Sequence, residues 1–356
     1  MLKVERPVDG QICNRWDGEI TPEGLRIKVA GTCDGAPSVS VNGVAAAVNA
    51  GRFTATVTLS SPETELVVMA GDQEAARLRV FYDAAGFRRC RISVDDCIYF
   101  LRDTALYARD SIFENGFLRF WRDMHREFGT KVHLNVYYRD LDTGFTIDQF
   151  PDRWRGEWEA NADWMHLTFH AIADQPDWPY READYATIDR DFRLITNEIV
   201  RFAGPSVLSN YGTLHWGTAP VEGCRALRDN GMTGLVGYFW LQDGKPHVAY
   251  YLDVERTAHV GSRDYWVDTA EGITFVQHDL VMDPLRLSEI APSLDAIYAD
   301  PHRSEVLELL CHEQYFYPRW PNYMPEQAQK VRAALQWAAE HGYRPVFYNE
   351  GRFAGA

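Results

Sequence analysis

The feature of this sequence that most constrains its fold is a change of rhythm near residue 86. In residues 1–85, apolar and polar residues alternate within short segments such as GRFTATVTLS and TELVVMAG, and turn residues separate these segments. From residue 86 onward, short apolar segments alternate with amphipathic segments of helical spacing. The first rhythm is typical of a β-sandwich, and the second is typical of parallel strands joined by helical crossovers. The sequence of 356 residues therefore predicts two domains, 1–85 and 86–356.

The second region has about seven or eight strand-and-helix units, a number that favours a (β/α) barrel over an open sheet. Its clearest helix, SIFENGFLRFWRDMHREFG, ends at Gly129, and a second long helix ends at Gly204. RWRGEWEANA is also predicted to be helical. The segment 245–270, which is rich in Tyr and Trp, is predicted to be an inserted β-hairpin. The fold class is therefore α/β, with a small all-β sandwich preceding a barrel.

Composition excludes several classes of function. The 51 acidic and 36 basic side chains give a net charge of −15, which argues against nucleic acid and anionic membranes as partners. No segment approaches the roughly 20 apolar residues of a membrane span. The N-terminus lacks the pattern of a signal peptide, so we expect a cytoplasmic protein. The six cysteines form no CxxC pair and are expected to be free thiols. No nucleotide-binding motif is present, and the sequence leaves the oligomeric state open.

Histidines and carboxylates follow several of the predicted strands. In a (β/α) barrel the active site lies at the carboxyl ends of the strands. Such residues occur at five of these ends: Asp95 and Asp96, His170, His215, His278 with Asp279, and His312 with Glu313. Side chains of these types, gathered at one edge, are the ligands that a divalent metal requires. The sequence therefore predicts a metal site at this edge.

Each of these residues also has a purely structural interpretation. Asp95 and Asp96 could cap a helix that starts near Ile98, but capping needs only one carboxylate. His215 could belong to an ordinary loop. His278 and Asp279 are expected to hold a loop by hydrogen bonds. The functional interpretation is therefore favoured for the aspartate pair. It is also favoured for His312 and Glu313, because the aromatic run 315–317 that follows them suits sugar binding.

Two short motifs resemble those of the polysaccharide deacetylase family, whose fold is a distorted (β/α) barrel. ISVDDC resembles the family's first motif, of the TFDDG type, and ELLCHE is similar to its last motif, an apolar strand that ends in His. The resemblance implies that Asp95 is the general base, Asp96 a metal ligand and His312 the acid for the leaving group. In the N-terminal region, SVSVNGV and the strands that follow it resemble bacterial immunoglobulin-like modules.

The family's second motif, His-x-x-x-His, has a literal match in His166 and His170. Residues four apart on a strand lie about 13 Å apart, too far to share one ion at bond lengths of about 2.1 Å. His170 therefore matches the first family histidine better, with Asp174 in the second position. The Arg-Pro element of the third motif is absent, and His215 stands near it. The favoured ligand set is Asp96, His170 and His215, with Asp174 or His166 as replacements.

The resemblance implies a hydrolase that uses a divalent metal, most plausibly zinc, to remove an N- or O-acyl group from a carbohydrate. Glu313 or Asp279 is expected to support the His312 acid. The aromatic residues, 11 Trp, 18 Tyr and 18 Phe, suit a sugar ligand, although many belong to the core. Two alternatives remain open. One is a metal-free glycoside hydrolase that pairs Asp95 with Glu313, and the other is a catalytically silent barrel that binds carbohydrate.

Overall fold

We analysed a computed structural model of the chain, which describes residues 2–36, 38–84, 87–347 and 350. The chain forms two compact units. The first contains Met1–Gly86 and Tyr265–Ile273, and the second contains Phe87–Asp264 and Thr274–Glu350. The first boundary between the units lies near the change of rhythm in the sequence, and the domain bounds 1–85 and 86–356 stay a prediction. A short segment from within the predicted second domain joins the first unit.

The strands are β1 (Leu2–Arg6), β2 (Ile12–Cys13), β3 (Gly18–Thr21), β4 (Gly24–Cys33), β5 (Val39–Val41), β6 (Val44–Ala45), β7 (Ala47–Asn49), β8 (Arg52–Leu59), β9 (Glu63–Ala70), β10 (Gln73–Tyr82), β11 (Arg89–Cys97), β12 (Val132–Tyr137), β13 (Met165–Ala171), β14 (Tyr211–Gly212), β15 (Gly234–Gly237), β16 (Trp240–Gln242), β17 (Lys245–Val248), β18 (Tyr265–Asp268), β19 (Ile273–Gln277), β20 (Leu280–Val281), β21 (Val306–His312) and β22 (Arg344–Pro345). The helices are α1 (Tyr99–Tyr107), α2 (Gly116–Phe128), α3 (Arg155–Glu159), α4 (Tyr185–Ala203), α5 (Val221–Asp229), α6 (Val254–Gly261), α7 (Leu287–Tyr298) and α8 (Gln327–Glu340).

The first unit consists mainly of two five-stranded sheets. One has the order β1-β4-β8-β7 with β3 beside β4, and the other has the order β2-β10-β9-β5-β6. Exposed and buried residues alternate strictly along β8. Buried side chains from both sheets, among them Leu25, Phe53, Leu66 and Val80, form one apolar cluster. Each such side chain contributes roughly 1.5–3 kcal/mol through burial. This arrangement is the predicted β-sandwich, while its immunoglobulin-like topology stays a prediction.

The predicted hairpin at 245–270 has a different structure. The antiparallel pair in this region is β16 with β17, which begins earlier, at Trp240. Helix α6 follows, because the Asp253 side chain accepts a hydrogen bond from the Arg256 backbone N–H at 2.8 Å and caps its first turn. Strand β18 belongs to the first unit, where the Trp266 indole N–H donates to the Asp9 carbonyl at 2.7 Å. The expected single hairpin is therefore a shorter hairpin, a helix and a separate strand.

The second unit is built from parallel strands with helices between them. One sheet has the order β13-β12-β11-β21-β20, with β22 beside β11. Strands β14, β15 and β19 form a second parallel group. Every residue of β12 is buried, as expected for a parallel strand that is covered on both faces. Parallel pairing brings the carboxyl ends of β11, β12, β13 and β21 to one edge, which places the candidate side chains together.

The long helices of this unit begin and end at recognisable caps. Asn115 accepts hydrogen bonds at the start of α2, and Gly129, with a φ of 70°, ends it as predicted. Asp184 caps α4, and Gly204 ends it. Helix α3 has only five residues, fewer than the predicted RWRGEWEANA helix. Among the helices in the described part of the chain, none combines the length and apolar character that a membrane crossing requires.

Candidate active site

The adjacent Asp95 and Asp96 line the same cavity, which has a volume of about 600 Å³. On a regular strand, successive side chains point to opposite faces. Here the register between β11 and β12 shifts between Val94 and Cys97, and Asp96 has a left-handed φ of 61°. This backbone irregularity allows both neighbouring carboxylates to face the cavity. A non-glycine residue with positive φ is uncommon and is often associated with a functional site.

Three potential metal ligands converge at this edge. The Asp96 Oδ1 atom lies 3.1 Å from His170 Nε2 and 3.4 Å from His215 Nδ1. The two ring nitrogens are 3.2 Å apart. One ligand atom from each residue can be chosen so that all three lie within 4.8 Å of one another. The structure therefore brings together the three residues that the sequence analysis favoured as metal ligands.

The outer nitrogen of each imidazole contacts a backbone carbonyl. His170 Nδ1 lies 2.5 Å from the Thr213 oxygen, and His215 Nε2 lies 3.2 Å from the Asp174 oxygen. A carbonyl can only accept, so both outer nitrogens carry a proton, and a ring that carries no second proton presents a lone pair on its inner nitrogen to Asp96. This second set of hydrogen bonds is typical of histidines that bind metal. Three converging acceptors repel one another, so the arrangement fits a bound cation.

Two further side chains hold the Asp96 carboxylate. The Tyr137 hydroxyl contacts Asp96 Oδ1 and also lies 3.0 Å from His215 Nδ1. The Gln314 side-chain amide donates to Asp96 Oδ2 at 2.7 Å. Tyr137 is the last residue of β12 and Gln314 follows β21, yet the sequence does not single out either residue, because Tyr and Gln are common in cores and loops.

Charge at the site shifts several pKa values. Burial acts to raise the pKa of Asp96, but the contacts with the His170 and His215 side chains hold it well below its usual range. Burial acts to lower the pKa of His170, but the Asp95 and Asp96 carboxylates raise it above its ordinary value. Burial raises the pKa of Asp95. These directions describe a buried site with an excess of negative charge, which attracts a cation.

Asp95 and His312 occupy paired positions on the neighbouring strands β11 and β21. The Asn135 side-chain amide donates to Asp95 Oδ1 at 2.5 Å, which fixes the orientation of this carboxylate. His312 Nδ1 lies 2.6 Å from Asp283 Oδ2. Burial acts to lower the pKa of His312, but Asp283 raises it to about 10. His312 is therefore a protonated, oriented imidazole across the cavity edge from Asp95.

Asp283, rather than Glu313 or Asp279, is thus the carboxylate beside His312, which corrects the sequence prediction. Asp283 is buried and follows the two-residue strand β20. Its carboxylate also accepts a hydrogen bond from the Gln327 side chain. The available signal was the position of Asp283 just after the apolar pair in LVMD, a strand too short to be recognised.

The carboxylates of Glu313 and Asp279 both accept hydrogen bonds from backbone N–H groups. The carboxylate of Glu313 accepts hydrogen bonds from the backbone N–H groups of Ile98, Tyr99 and Phe100 at 2.6, 2.8 and 2.5 Å. It therefore caps α1, a role that the sequence analysis weighed for the aspartate pair. Asp279 accepts from the Glu308 backbone N–H at 2.9 Å.

His166 and His278 lie outside the converging ligand set. His166 stacks on the Phe347 ring at a centroid distance of 3.7 Å, and burial lowers its pKa to about 4. It sits four residues before His170 on β13, so the strand geometry separates the two histidines as the spacing argument predicted. His278 is fully enclosed, and burial holds its pKa well below the ordinary value.

Trp216, Trp240 and His247 line the cavity, and Trp178 packs against Trp216 and His247; we call these four residues the aromatic wall. Trp178 stacks on Trp216 at 4.5 Å, and His247 stacks on Trp240 at 5.6 Å. His247 also contacts Trp178 edge-on at 5.2 Å. Trp216 and Trp240 are 39% and 51% exposed, so each leaves ring surface available to a ligand. Exposed aromatic faces beside polar groups suit the apolar faces of sugars.

Comparison with known proteins gives distant structural similarities. No protein-family profile matches the chain, and no curated protein matches it in sequence. A 4-alpha-glucanotransferase from Thermococcus litoralis is 12% identical, with a TM-score of 0.43, and the match covers 74% of this chain and 39% of that protein. The carbohydrate deacetylase Agd3 is 11% identical, with a TM-score of 0.42, over 94% of this chain and 71% of that one.

A family 4 acetyl xylan esterase from Clostridium thermocellum, in complex with a cobalt ion, is 11% identical, with a TM-score of 0.38. That match covers 74% of this chain and 90% of the esterase. Carbohydrate and polysaccharide deacetylases are thus among the solved structures that this chain resembles. These likenesses are distant, so the chemistry of the site has to be inferred from the residues of this chain.

Proposed function

We propose that the protein is a metal-dependent hydrolase that removes an N- or O-acyl group from a carbohydrate. The observation that carries the proposal is the orientation of the two imidazoles. Thr213 and Asp174 carbonyls accept the outer N–H groups of His170 and His215, so both inner nitrogens face Asp96. A ligand set of two nitrogens and a carboxylate, with an open side toward the cavity, suits a catalytic zinc ion.

A divalent cation bound by Asp96, His170 and His215 would polarise the acyl carbonyl and lower the pKa of the attacking water. Asp95 accepts the proton of that water as general base, and its raised pKa moves it toward the range in which a base is effective. His312 donates a proton to the departing amine or alcohol. Asp283 keeps the His312 ring protonated and oriented. The exposed rings of the aromatic wall position the sugar.

The metal-free glycoside hydrolase is disfavoured by the position of Glu313. Such an enzyme needs two carboxyl groups that face the substrate. The Glu313 side chain is fully buried, and its oxygens already accept three backbone hydrogen bonds. Glu313 therefore does not serve as the partner of Asp95. The other alternative, a silent carbohydrate-binding barrel, differs from the hydrolase because it binds carbohydrate without releasing an acyl group.

We also propose that the parallel strands of the second unit close into the predicted distorted barrel. Two contacts support closure. Leu167 of β13 forms a parallel bridge with Leu208, which precedes β14. The Asp279 backbone N–H, which follows β19, donates to the Glu308 carbonyl of β21 at 2.9 Å. Hydrogen bonds thus join the two strand groups at both of their edges.

The first test is elemental analysis of the purified chain after zinc has been added and excess removed. We expect about one metal ion per chain in the unmodified protein and none in the Asp96→Asn and His170→Ala variants. His166→Ala is the matched control, because it removes an imidazole from the same strand outside the ligand set. No metal in the unmodified chain, or equal metal in all variants, would exclude the proposed centre.

The second test measures acetate release from N-acetylated and O-acetylated oligosaccharides. We expect release by the metal-loaded chain, loss with a chelator, and loss of at least about a hundredfold in Asp95→Asn. Oligosaccharide binding that persists in all proteins without any acetate release would instead identify a silent binding barrel.

A further inference from the structure

A second cavity of about 720 Å³ lies next to the candidate active site. We call it the basic cleft; its charged side chains are Arg181, Lys245 and Asp243, and His247 and Tyr251 also line it. His247, a member of the aromatic wall, lines both cavities and therefore lies at their common boundary. A ligand that extends past the wall from the active site therefore reaches the basic cleft.

The charges of the two cavities have opposite signs. Four aspartates line the active-site cavity: Asp95, Asp96, Asp174 and Asp177. In the basic cleft, the guanidinium of Arg181 and the ammonium of Lys245 face a single carboxylate, that of Asp243. In a chain of net charge −15, such a local excess of positive charge is unusual.

Neither cation of the cleft has an ion-pair partner within the described residues 2–36, 38–84, 87–347 and 350. Nearby arginines on α4 do have partners: Arg190 contacts Asp191, and Arg193 contacts Asp189, each at 2.8 Å. The cations of Arg181 and Lys245 differ from these two arginines because they have no such partner among those residues. They remain available to a negatively charged ligand.

Arg181 is also held in a defined orientation. Its guanidinium carbon lies 3.9 Å from the centroid of the Trp178 ring, and Trp178 in turn stacks on Trp216. Stacking on one face of the guanidinium leaves its N–H edge free. A planar edge of this kind matches the two oxygens of a carboxylate or a phosphate.

We infer that the basic cleft binds an anionic substituent, a carboxylate or a phosphate, on the carbohydrate whose acyl group lies at the candidate metal centre. This inference rests on the proposed function and specifies its substrate class as acidic glycans. Sugar rings stack on Trp216 and Trp240, and the negative group on a neighbouring sugar contacts Arg181 and Lys245. The aspartates of the active-site cavity repel the same group, so the two cavities together fix the direction of the glycan.

The test is calorimetric binding to the full metal-loaded chain with two tetrasaccharides of equal length. A hyaluronan tetrasaccharide carries both N-acetylglucosamine and carboxylates, whereas chitotetraose carries N-acetylglucosamine alone. We expect the acidic glycan to bind about tenfold more tightly, the effect of one charge-assisted hydrogen-bonded contact at a partly exposed site. This preference should weaken as salt is added, because ions screen the contact.

Substitutions in the basic cleft test whether its side chains cause the preference for the acidic glycan. Arg181→Gln and Lys245→Gln should each reduce it to about threefold or less, with the affinity for chitotetraose unchanged. Arg119→Gln is the matched control, since it removes one positive charge on α2 without lining either cavity. Chitotetraose that carries a 6-phosphate on a terminal sugar, compared with the hyaluronan tetrasaccharide, distinguishes a phosphate from a carboxylate as the preferred group.

Equal affinity for the acidic and neutral glycans in the unmodified chain would overturn the inference. A preference that survives in both cleft variants would also overturn it, because the anion would then bind elsewhere. Affinity and acetate release are separate measurements, so either failure leaves the acetate-release result untouched. Conversely, a chain that prefers acidic glycans but releases no acetate would support the anion-binding subsite and contradict the proposed hydrolysis.

Discussion

Replacing Asp283 with asparagine is expected to lower the pKa of His312 and to move the alkaline limb of the pH–activity profile. In the unmodified chain, the Asp283 carboxylate, 2.6 Å from His312 Nδ1, raises that pKa to about 10. An opposite charge at this distance shifts a pKa by roughly 1–3 units. The His312 side chain is 22% exposed, so solvent screens part of the interaction. We expect a shift of about two units, or about 2.7 kcal/mol.

The assay is the pH dependence of kcat/KM for acetate release, together with an NMR titration of the His312 ring. The alkaline limb of Asp283→Asn should fall about two units below that of the unmodified chain, because the general acid deprotonates earlier. Asp279→Asn is the control, since Asp279 contacts Arg303 and the Glu308 backbone instead of His312. An unchanged limb with an unchanged ring titration would refute the assignment of Asp283 as the partner.

The same shift has a consequence for stability. The pKa of His312 is raised in the folded state, so its contribution to stability is fully present below the unfolded value of about 6.5. It is lost as the pH rises through about 10. Asp283→Asn should therefore lower the free energy of unfolding by about 2.7 kcal/mol near pH 6, and the difference should shrink between about pH 8 and about pH 10 and vanish above that range. A constant difference across this range, measured by urea unfolding, would contradict the linkage.

Three further predictions follow from other parts of the site. Glu313→Gln should lower the free energy of unfolding by about 2–3 kcal/mol, because α1 loses charged hydrogen bonds at its start; urea unfolding measures this, and loss of bound metal without destabilisation would contradict it. Zinc at about 100 times its dissociation constant should raise the free energy of unfolding by about 2.7 kcal/mol. That gain should vanish in His215→Ala, and an equal gain would place the ion elsewhere. Trp216→Ala should raise KM about tenfold with little change in kcat; a loss in kcat alone would argue against sugar stacking.

The regular parts of the fold could be predicted because their signals are local. Buried parallel strands appear as apolar runs, and α2 and α4 end at glycines that the sequence displays. Candidate residues at recognisable strand ends, such as Asp96 and His170, follow from the topology. Parallel pairing brings these ends to one edge whatever the details of the loops.

The remaining features depend on contacts between distant segments. Asp283 follows a strand of only two residues, so the apolar residues before it are too few to be recognised as a strand. The cap formed by Glu313 joins residues more than 200 positions apart, and no local pattern predicts such a pair. The ring of His247 contacts both Trp178 and Trp240. Trp178 lies in a loop, whereas Trp240 and His247 lie in the short hairpin of β16 and β17, so these contacts join separate segments. Helix α6 replaced part of the expected hairpin, because the side chain of Asp253 caps its first turn.

The cap at the start of α1 also joins the two segments that carry the proposed proton-transfer groups. Asp95 lies just before the capped amides of Ile98 and Phe100, and His312 directly precedes Glu313. The hydrogen bonds of the Glu313 carboxylate therefore link the segments at the ends of β11 and β21. Thermal motion that moves one of these ends carries the other with it, so the spacing of base and acid is preserved. We therefore expect the motion that admits a large substrate to involve the hairpin of β16 and β17, which carries Trp240 at the cavity.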